Sequence, residues 1–344
     1  MSPEIKILGI DLGKNWFHVI GIDAVGRPVL RKKCNRAQLQ ELAVTIPRSL
    51  VAMESCSGSQ FWGRRFAAQG HEVRLIPAQF VKPYVKTNKN DFNDALAIAE
   101  AASRATIPSV PLKNTEQLEL QAIHRVRQRL IGDRTAVINQ MRALLLEQGF
   151  VVGVGPTRFA RQLPELLGKA GEVLSPRMQA LLVRLRSRWL ALDADVAELT
   201  ALLNRHAAQS ELCRNVVTIP GIGPMIATAT IAAVGNGRMF KTGRGMAAWL
   251  GLVPRQLSTG GRSILGPISK RGNNHLRHLF IQGAQVLYTH LRRDQSRLGA
   301  WLRGIEGRTH RNVAVVALAN KLVRICWKVL SSGQQYRPYP MQAL

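Results

Sequence analysis

Acidic side chains are scarce in this chain. Its 344 residues carry 21 Asp and Glu against 48 Lys and Arg, a formal net charge of +27 at neutral pH. Cysteine is scarcer still. Cys34, Cys56, Cys213 and Cys326 are scattered, with no pair at zinc-ligand spacing, which argues against a zinc site or a disulfide framework. They read as reduced thiols of a cytoplasmic protein. No apolar run approaches the roughly 18 residues of a membrane span, and Met1 to Lys6 lacks a basic-then-apolar leader. The expectation is a protein with no membrane partner. Low-complexity tracts and internal repeats are also missing, and 46% of the residues are hydrophobic. The basic excess therefore belongs to folded domains and not to a disordered tail. Such an excess calls for a polyanion, and nucleic acid is the commonest one.

The charge is uneven. Residues 1–110 hold 15 basic and 9 acidic side chains, residues 111–205 hold 14 and 9, and residues 206–344 hold 19 and 3. A single-sign field destabilises a fold by self-repulsion, so the last segment needs an anionic partner most.

Three parts are expected. In residues 1–110, strand-like runs (Ile5 to Ile10, Phe17 to Ile22, Pro28 to Lys33, Leu50 to Met53, His71 to Ile76) alternate with helical segments at Arg36 to Ile46, Gly58 to Ala68 and Asp91 to Ala105. That order predicts a mixed sheet with helices packed on it, an α/β domain. In residues 111–207, Thr115 to Gln148 and Arg177 to His206 show long-helix periodicity around an interrupting stretch, Gly149 to Pro176. Two helices of this length, each about 45 Å long at 1.5 Å per residue, predict an antiparallel coiled-coil arm. Residues 208–335 read as mainly α, with helices at Met225 to Val234, Asn273 to Leu291 and Arg311 to Leu330, and a loop over Val253 to Lys270.

Four carboxylates of the first part stand at strand or helix ends: Asp11, Glu54, and the i, i+3 pair Asp91 and Asp94. Each alone could be a turn, cap or surface residue. Together they offer hard oxygen ligands suited to Mg²⁺, and an acidic cluster beside an acidic substrate makes sense with bridging cations. Pro220 to Pro224 resembles the hairpin of a helix-hairpin-helix element, in which Gly221 and Gly223 would present backbone N–H groups to a phosphate. Arg255 to Arg262, followed by Ser269 to Asn273, combines Gly260 and Gly261 with Arg255, Arg262, Lys270 and Arg271. On residues alone this is a phosphate-binding loop. Ser258 or Thr259 could act there as a nucleophile only if activated by a metal-bound or nearby base.

Several of these stretches together resemble one family. Leu8-Gly9-Ile10-Asp11-Leu12-Gly13-Lys14, Met53-Glu54, Lys89-Asn90-Asp91-Phe92-Asn93-Asp94-Ala95, and Leu250-Gly251-Leu252-Val253-Pro254 with Ser258-Thr259-Gly260-Gly261 look like the transposases of the insertion-sequence 110 family. These DEDD transposases include relatives of the pilin gene invertase, and the Lys89 to Ala95 segment looks most like the insertion-sequence 1111 subgroup. The resemblance implies an RNase H-like (RuvC-type) N-terminal domain, a coiled-coil arm and a C-terminal transposase domain. It implies an acidic tetrad at Asp11, Glu54, Asp91 and Asp94 that binds Mg²⁺, or Mn²⁺ in its place, with no nucleotide cofactor. It implies a nucleophilic Ser258; the expected nucleic-acid contacts, Arg255, Thr259, Gly260, Gly261, Arg262, Lys270, Arg271, Gly221 and Gly223, come from the residues of the stretch and turn themselves. Thr259 stands where the family often has a second serine, and Arg262 where lysine is frequent. The implied reaction cuts and rejoins DNA through a covalent 5′-phosphoserine. The implied partners are donor and target DNA, a structured guide (bridge) RNA, and further copies of the chain in a tetramer of two dimers, cytoplasmic and associated with the bacterial nucleoid.

Three other readings stay open on the sequence. A RuvC-like nuclease or junction resolvase would use metal-activated water, with Ser258 only binding phosphate. An actin-like ATPase shares a resemblance over Leu8 to Lys14 but should repeat a glycine-rich phosphate loop in its second half. A non-catalytic nucleic-acid-binding protein has no use for four carboxylates.

Overall fold

The structure, a computed structural model, describes residues 4–86, 90–153, 155–170, 173–294 and 296–338. The chain divides into two compact units, one ending at Asn114 and the other starting at Thr115. Each is described by itself.

The first unit runs β1 (Ile7–Leu12), β2 (Phe17–Ile22), β3 (Pro28–Cys34), α1 (Arg36–Thr45), β4 (Leu50–Glu54), α2 (Ser59–Ala68), β5 (Glu72–Ile76), α3 (Ala78–Val81) and α4 (Asp91–Ala102). Its five strands form one sheet in the order β3-β2-β1-β4-β5. The pair β1–β4 and the pair β4–β5 are parallel, while β2 is antiparallel to both β1 and β3. This is the mixed α/β layer expected from the alternating pattern, and it extends each of β1 and β4 to include the carboxylate at its end.

Period-two alternation assigns the two faces. Leu8, Ile10, Phe17, Val19, Val51 and Met53 pack with Leu39, Leu42, Trp62 and Phe66 of α1 and α2. Ile7, Ile20, Ile22 and Ala52 pack with the alanine-rich face of α4, Ala95, Ile98, Ala99 and Ala102. By the same parity Gly9 and Asp11 of β1, His18 of β2 and Glu54 of β4 belong to the α4 side of the sheet. At Gly9 the approach is closest: a Cβ there would lie 2.2 Å from the Ala95 carbonyl oxygen and 2.8 Å from the Ala99 Cβ. Arg74 of β5 donates to the Ala102 carbonyl at 2.6 Å, holding the C-terminus of α4 with a positive charge where the helix dipole favours one.

The second unit is mostly helical. It runs α5 (Thr115–Glu147), α6 (Pro156–Ala170), α7 (Pro176–Gln209), α8 (Glu211–Val217), α9 (Pro224–Val234), α10 (Gly243–Trp249), β6 (Pro254–Thr259), β7 (Arg262–Ile268), α11 (Asn274–His290), α12 (Arg297–Glu306) and α13 (Arg311–Ser332). The helices α5 and α7 lie antiparallel. Arg127 donates to Thr200 at 2.7 Å and Arg134 pairs with Asp193 at 2.9 Å, so seven residues up α5 match seven down α7. Ile138, Met141 and Leu145 of α5 close the far end against Leu182 and Trp189 of α7. The interruption expected over Gly149 to Pro176 in fact carries α6. Phe159 and Leu163 of that helix bury in the same cluster, an apolar stripe that outweighs Pro164 inside the helix. Helices α8 to α13 share one large core around Leu250, Phe280, Leu302, Leu318 and Leu322.

One expectation is overturned. The stretch Val253 to Lys270 is not a loop but the β6–β7 hairpin, with Ser258 opposite Ser263 and Thr259 opposite Arg262. Gly260 and Gly261 form its two-residue turn with φ of +53° and +78°. A turn with positive φ at both central residues matches the right-handed strand twist, and glycine reaches it without steric cost. The glycines that suggested a loop are therefore the turn of a hairpin. The three buried cysteines, Cys34, Cys213 and Cys326, and the exposed Cys56 are all free thiols. No helix among the described residues is long and apolar enough to cross a membrane.

The Gly9 contact is directly testable. Replacing Gly9 with Val is expected to destabilise the first unit by about 1–3 kcal/mol, the usual cost of overpacking, because the added atoms meet the α4 backbone. Urea unfolding of the two proteins measures the difference, and equal midpoints would show that α4 does not rest on β1 at this residue.

Candidate active site

In the first unit the four carboxylates come together. Asp11 sits near the C-terminal end of β1 and Glu54 ends β4, its parallel neighbour, so both emerge at the same edge of the sheet. Asp91 and Asp94 come from the first turn of α4, whose N-cap, Asn90, accepts a hydrogen bond from the Phe92 N–H at 3.0 Å. The capping asparagine and the dipole favour this start, and both acids occupy the helix end where negative charge is most tolerated. Lys89, the first residue of that sequence motif, lies outside the described residues. All four acids line one cleft of about 510 Å³, together with Gln79 and Lys82.

The electrostatics follow from the crowding. Burial pushes the Asp11 carboxyl up to about 6 from an ordinary 3.8, and the negative charges of Asp94, Asp91 and Glu54 add to the shift. His18 opposes it. This histidine is Asp11's cross-strand partner, is 8% exposed, and places Nδ1 3.4 Å from Asp91 Oδ2. Its ring also meets Phe92 edge-on at 4.7 Å, and the Arg31 guanidinium covers the other aromatic at 4.1 Å. Asp11, His18 and Asp91 each offer one ligand atom within 4.8 Å of the others. Hard carboxylate oxygens that repel one another fit a divalent cation, which removes the repulsion. His18 was missed in the sequence. Its signal was a polar residue inside the apolar run Phe17 to Ile22, on the parity that faces Asp11.

The second unit carries the other predicted residues. Ser258 lies on β6 with all of that strand exposed. Its Oγ accepts a hydrogen bond from Gln256 Nε2 at 2.9 Å. A glutamine amide cannot remove the hydroxyl proton, so any activation of Ser258 comes from outside the hairpin. Arg255, Thr259, Gly260, Gly261, Arg262, Lys270 and Arg271 are exposed on the hairpin or at its foot.

The foot of the hairpin is clamped. Ser269 N–H donates to the Val253 carbonyl at 2.8 Å and Lys270 N–H to the Gly251 carbonyl at 3.1 Å. Beneath them the buried Arg277 guanidinium donates to the Leu250 carbonyl (3.1 Å), the Arg271 carbonyl (2.8 Å) and Asn274 Oδ1 (2.8 Å). One side chain thus ties both strands' ends to α11, a role that nothing in the sequence pattern announced. Gly251, at φ +73°, is needed where a Cβ would sit 2.4 Å from the Arg271 oxygen. The two glycines of the Pro220 to Pro224 turn differ in use. Gly221 packs on α11, where a Cβ would meet the Gly283 oxygen at 2.9 Å, whereas Gly223, the N-cap of α9, faces open space.

Comparison with known proteins bears on both units. A family model described as the Transposase IS116/IS110/IS902 family matches residues 213–298, and a DEDD transposase model of the IS110 kind matches residues 8–150. The chain is similar to the transposase for insertion sequence element IS1328 of Yersinia enterocolitica, 41% identical over 96% of this chain and 98% of that protein. It is similar to the transposase for IS1111A of Coxiella burnetii, 41% identical over 97% and 92%. A probable family 20 transposase of Pseudomonas aeruginosa is 42% identical over 97% and 99%.

The carboxylate cleft has a signature in stability. Because the folded protein holds the Asp11 proton up to about pH 6 and the unfolded chain only to about 3.8, the contribution of this group is full below pH 3.8 and is lost as pH rises through 6. Asp11→Asn removes that loss. In a metal chelator its Tm is expected to exceed the parent's at pH 7.5 and to match it near pH 4. Thermal melts at the two pH values decide, and equal Tm values at pH 7.5 would show that ionising the buried Asp11 among its neighbours carries no such cost.

Proposed function

The chain belongs to the IS110/IS116/IS902 family of transposases, and from that premise we propose that it cuts and rejoins DNA with Ser258 as nucleophile and the four-carboxylate cleft as its metal site. The observation that most supports this is the convergence of Asp11, Glu54, Asp91 and Asp94 on one cleft in a chain otherwise so rich in positive charge. In this reading the first unit is an RNase H-like, RuvC-type domain. The pair α5 and α7 is a coiled-coil arm, and the rest from about residue 208 is the transposase domain with its helix-hairpin-helix-like turn.

Asp11, Glu54, Asp91 and Asp94 would hold Mg²⁺ or Mn²⁺, with His18 orienting Asp91. Such an ion, when bound, stabilises negative charge developing on a phosphate. Ser258 Oγ attacks the scissile phosphorus. The bond from phosphorus to the 3′ oxygen breaks, leaving a 5′-phosphoserine and a free 3′-hydroxyl, and the serine proton ends on that 3′ oxygen. The 3′-hydroxyl of another strand then attacks the phosphoserine, breaks the Oγ–P bond and returns the proton to Ser258. One phosphodiester is made for each one broken, so no nucleotide cofactor is consumed. Gln256 orients the Ser258 hydroxyl, and Arg255, Arg262, Lys270 and Arg271 hold the flanking phosphates. The exposed Gly260 and Gly261 and the Thr259 hydroxyl let the strand approach the hairpin, and the Gly223 end of α9 offers a further phosphate contact. The partners in this reading are donor and target DNA, a bridge RNA that reads their sequences by pairing, and further copies of the chain in a tetramer. The protein would work in the bacterial cytoplasm, at the nucleoid.

The deciding experiment is Ser258→Ala with end-labelled DNA in Mg²⁺. The expected result is loss of the protein–DNA adduct on a denaturing gel and a fall in strand transfer of at least ~10³-fold, as for removal of a covalent nucleophile elsewhere. Asp11→Asn should abolish both while DNA binding survives. Undiminished nicking by the Ser258→Ala protein would instead assign the chemistry to water, as in a nuclease.

A further inference from the structure

The second unit has a concave basic site built from elements other than the hairpin. Helix α10 begins against α13 so closely that a Cβ on Gly243 would stand 3.0 Å from the Arg324 oxygen and 3.2 Å from the Trp327 ring. The junction leaves a cleft of about 440 Å³ lined by Arg244 of α10 and by Lys321, Arg324, Trp327 and Lys328 of α13. Lys321, Arg324 and Lys328 follow one another at steps of three and four, hence on one face of the helix. They span ~10 Å along its axis at 1.5 Å per residue. The wall is rigid: Trp327 Nε1 donates to both the Gly237 and Phe240 carbonyls at 3.2 Å. The Lys321 ammonium rests over the Trp301 ring at 4.5 Å, fixing its direction without neutralising it.

Among the described residues no carboxylate lines this cleft. From residue 206 onward the chain has only Glu211, Asp294 and Glu306, and Glu306 is held by Arg293 at 2.8 Å. Partial burial first, and the neighbouring Arg324 charge second, hold the Lys321 ammonium below its ordinary range. Four cations around one hollow repel one another, and that cost is offset only when an anion enters.

We propose that the cleft between α10 and α13 is a seat for a nucleic-acid phosphate backbone, with Arg244, Lys321, Arg324 and Lys328 as its contacts. It rests on the reading of the chain as a nucleic-acid enzyme but assigns it a binding surface separate from the residues that do chemistry. The contacts are to phosphate and therefore position the strand without reading its sequence.

The test is fluorescence anisotropy with a duplex DNA and, separately, a structured RNA hairpin, each over a salt series, comparing the full-length protein with Arg324→Gln/Lys328→Gln. In whichever arm the cleft serves, affinity is expected to fall ~10-fold at 0.15 M salt and the salt slope by ~2, one for each phosphate contact removed. Thermal melts should show the variant as stable as the parent or more so, since repulsion has been relieved. A matched control, Arg184→Gln/Arg188→Gln on the exposed side of α7, should lose less. Unchanged affinity and slope in both arms would overturn the proposal, as would an equal loss in the control. Binding is read without cleavage, so a failure of the serine chemistry leaves this result standing, and the reverse.

Discussion

Helix α4 can lie on β1 only because Gly9 has no side chain and Ala95 and Ala99 have small ones. The first turn of α4 is thereby brought to the edge of the sheet where β1 and β4 end. A bulkier contact would lift the helix, and Asp91 and Asp94 would move away from Asp11 and Glu54. The rest of the first unit supports this approach from behind. The α1 and α2 layer anchors the opposite face of the sheet, Arg74 holds the far end of α4, and Asn90 fixes its start. A rigid backbone is what allows four acids to be held where they would otherwise drift apart, and burial, with the neighbouring carboxylate charges second, raises the Asp11 carboxyl.

The second unit solves the opposite electrostatic problem. Arg134 and Arg293 are paired with acids, but the basic surplus of residues 206–344 includes exposed cations at the hairpin and along α13. At the hairpin the means is an exposed two-stranded ribbon on a clamped foot. Arg277 donates to two backbone carbonyls and to Asn274, while the side chains of Lys270 and Arg271 are exposed. Ser258 stands on that ribbon with the Gln256 amide as its hydrogen-bond partner and no general base within the hairpin. A hydroxyl in such a setting is a weak nucleophile unless a group outside the hairpin activates it. A two-stranded hairpin is marginal alone, and here it depends on the packing of Leu250 and Leu252 beneath it.

Much of this was legible in the sequence. Strong period-two runs such as Phe17 to Ile22 mark strands, and the strand that Leu50 to Met53 predicts ends one residue later at Glu54, because propensity and burial agree along them. The paired long helices were legible for the same reason, since apolar steps of three and four persist over some thirty residues. Asp11, Glu54, Asp91 and Asp94 stood out as candidates because they sit at element ends, and the family resemblance is what grouped them as a tetrad. What misled was glycine: Gly260 and Gly261 imply flexibility by composition but a fixed turn by conformation. Likewise the glycine and proline content of Gly149 to Pro176 suggests an interruption in a segment whose apolar stripe makes part of it a helix.

The sequence by itself therefore determined the strand and helix order of the first unit, the two long helices, the basic surplus, the four acids and the family resemblance. Those properties are local, or are sums over residues, and need no knowledge of what touches what. Only the tertiary structure decided that His18 joins Asp11 and Asp91, that Arg277 clamps the hairpin, and that three cations of α13 share a hollow with Arg244. Each depends on a contact between residues far apart in the chain: a strand register, a buried guanidinium, a helix end pressed against another helix. Contacts of that kind are set by the packing of the whole unit, which no short stretch of sequence encodes.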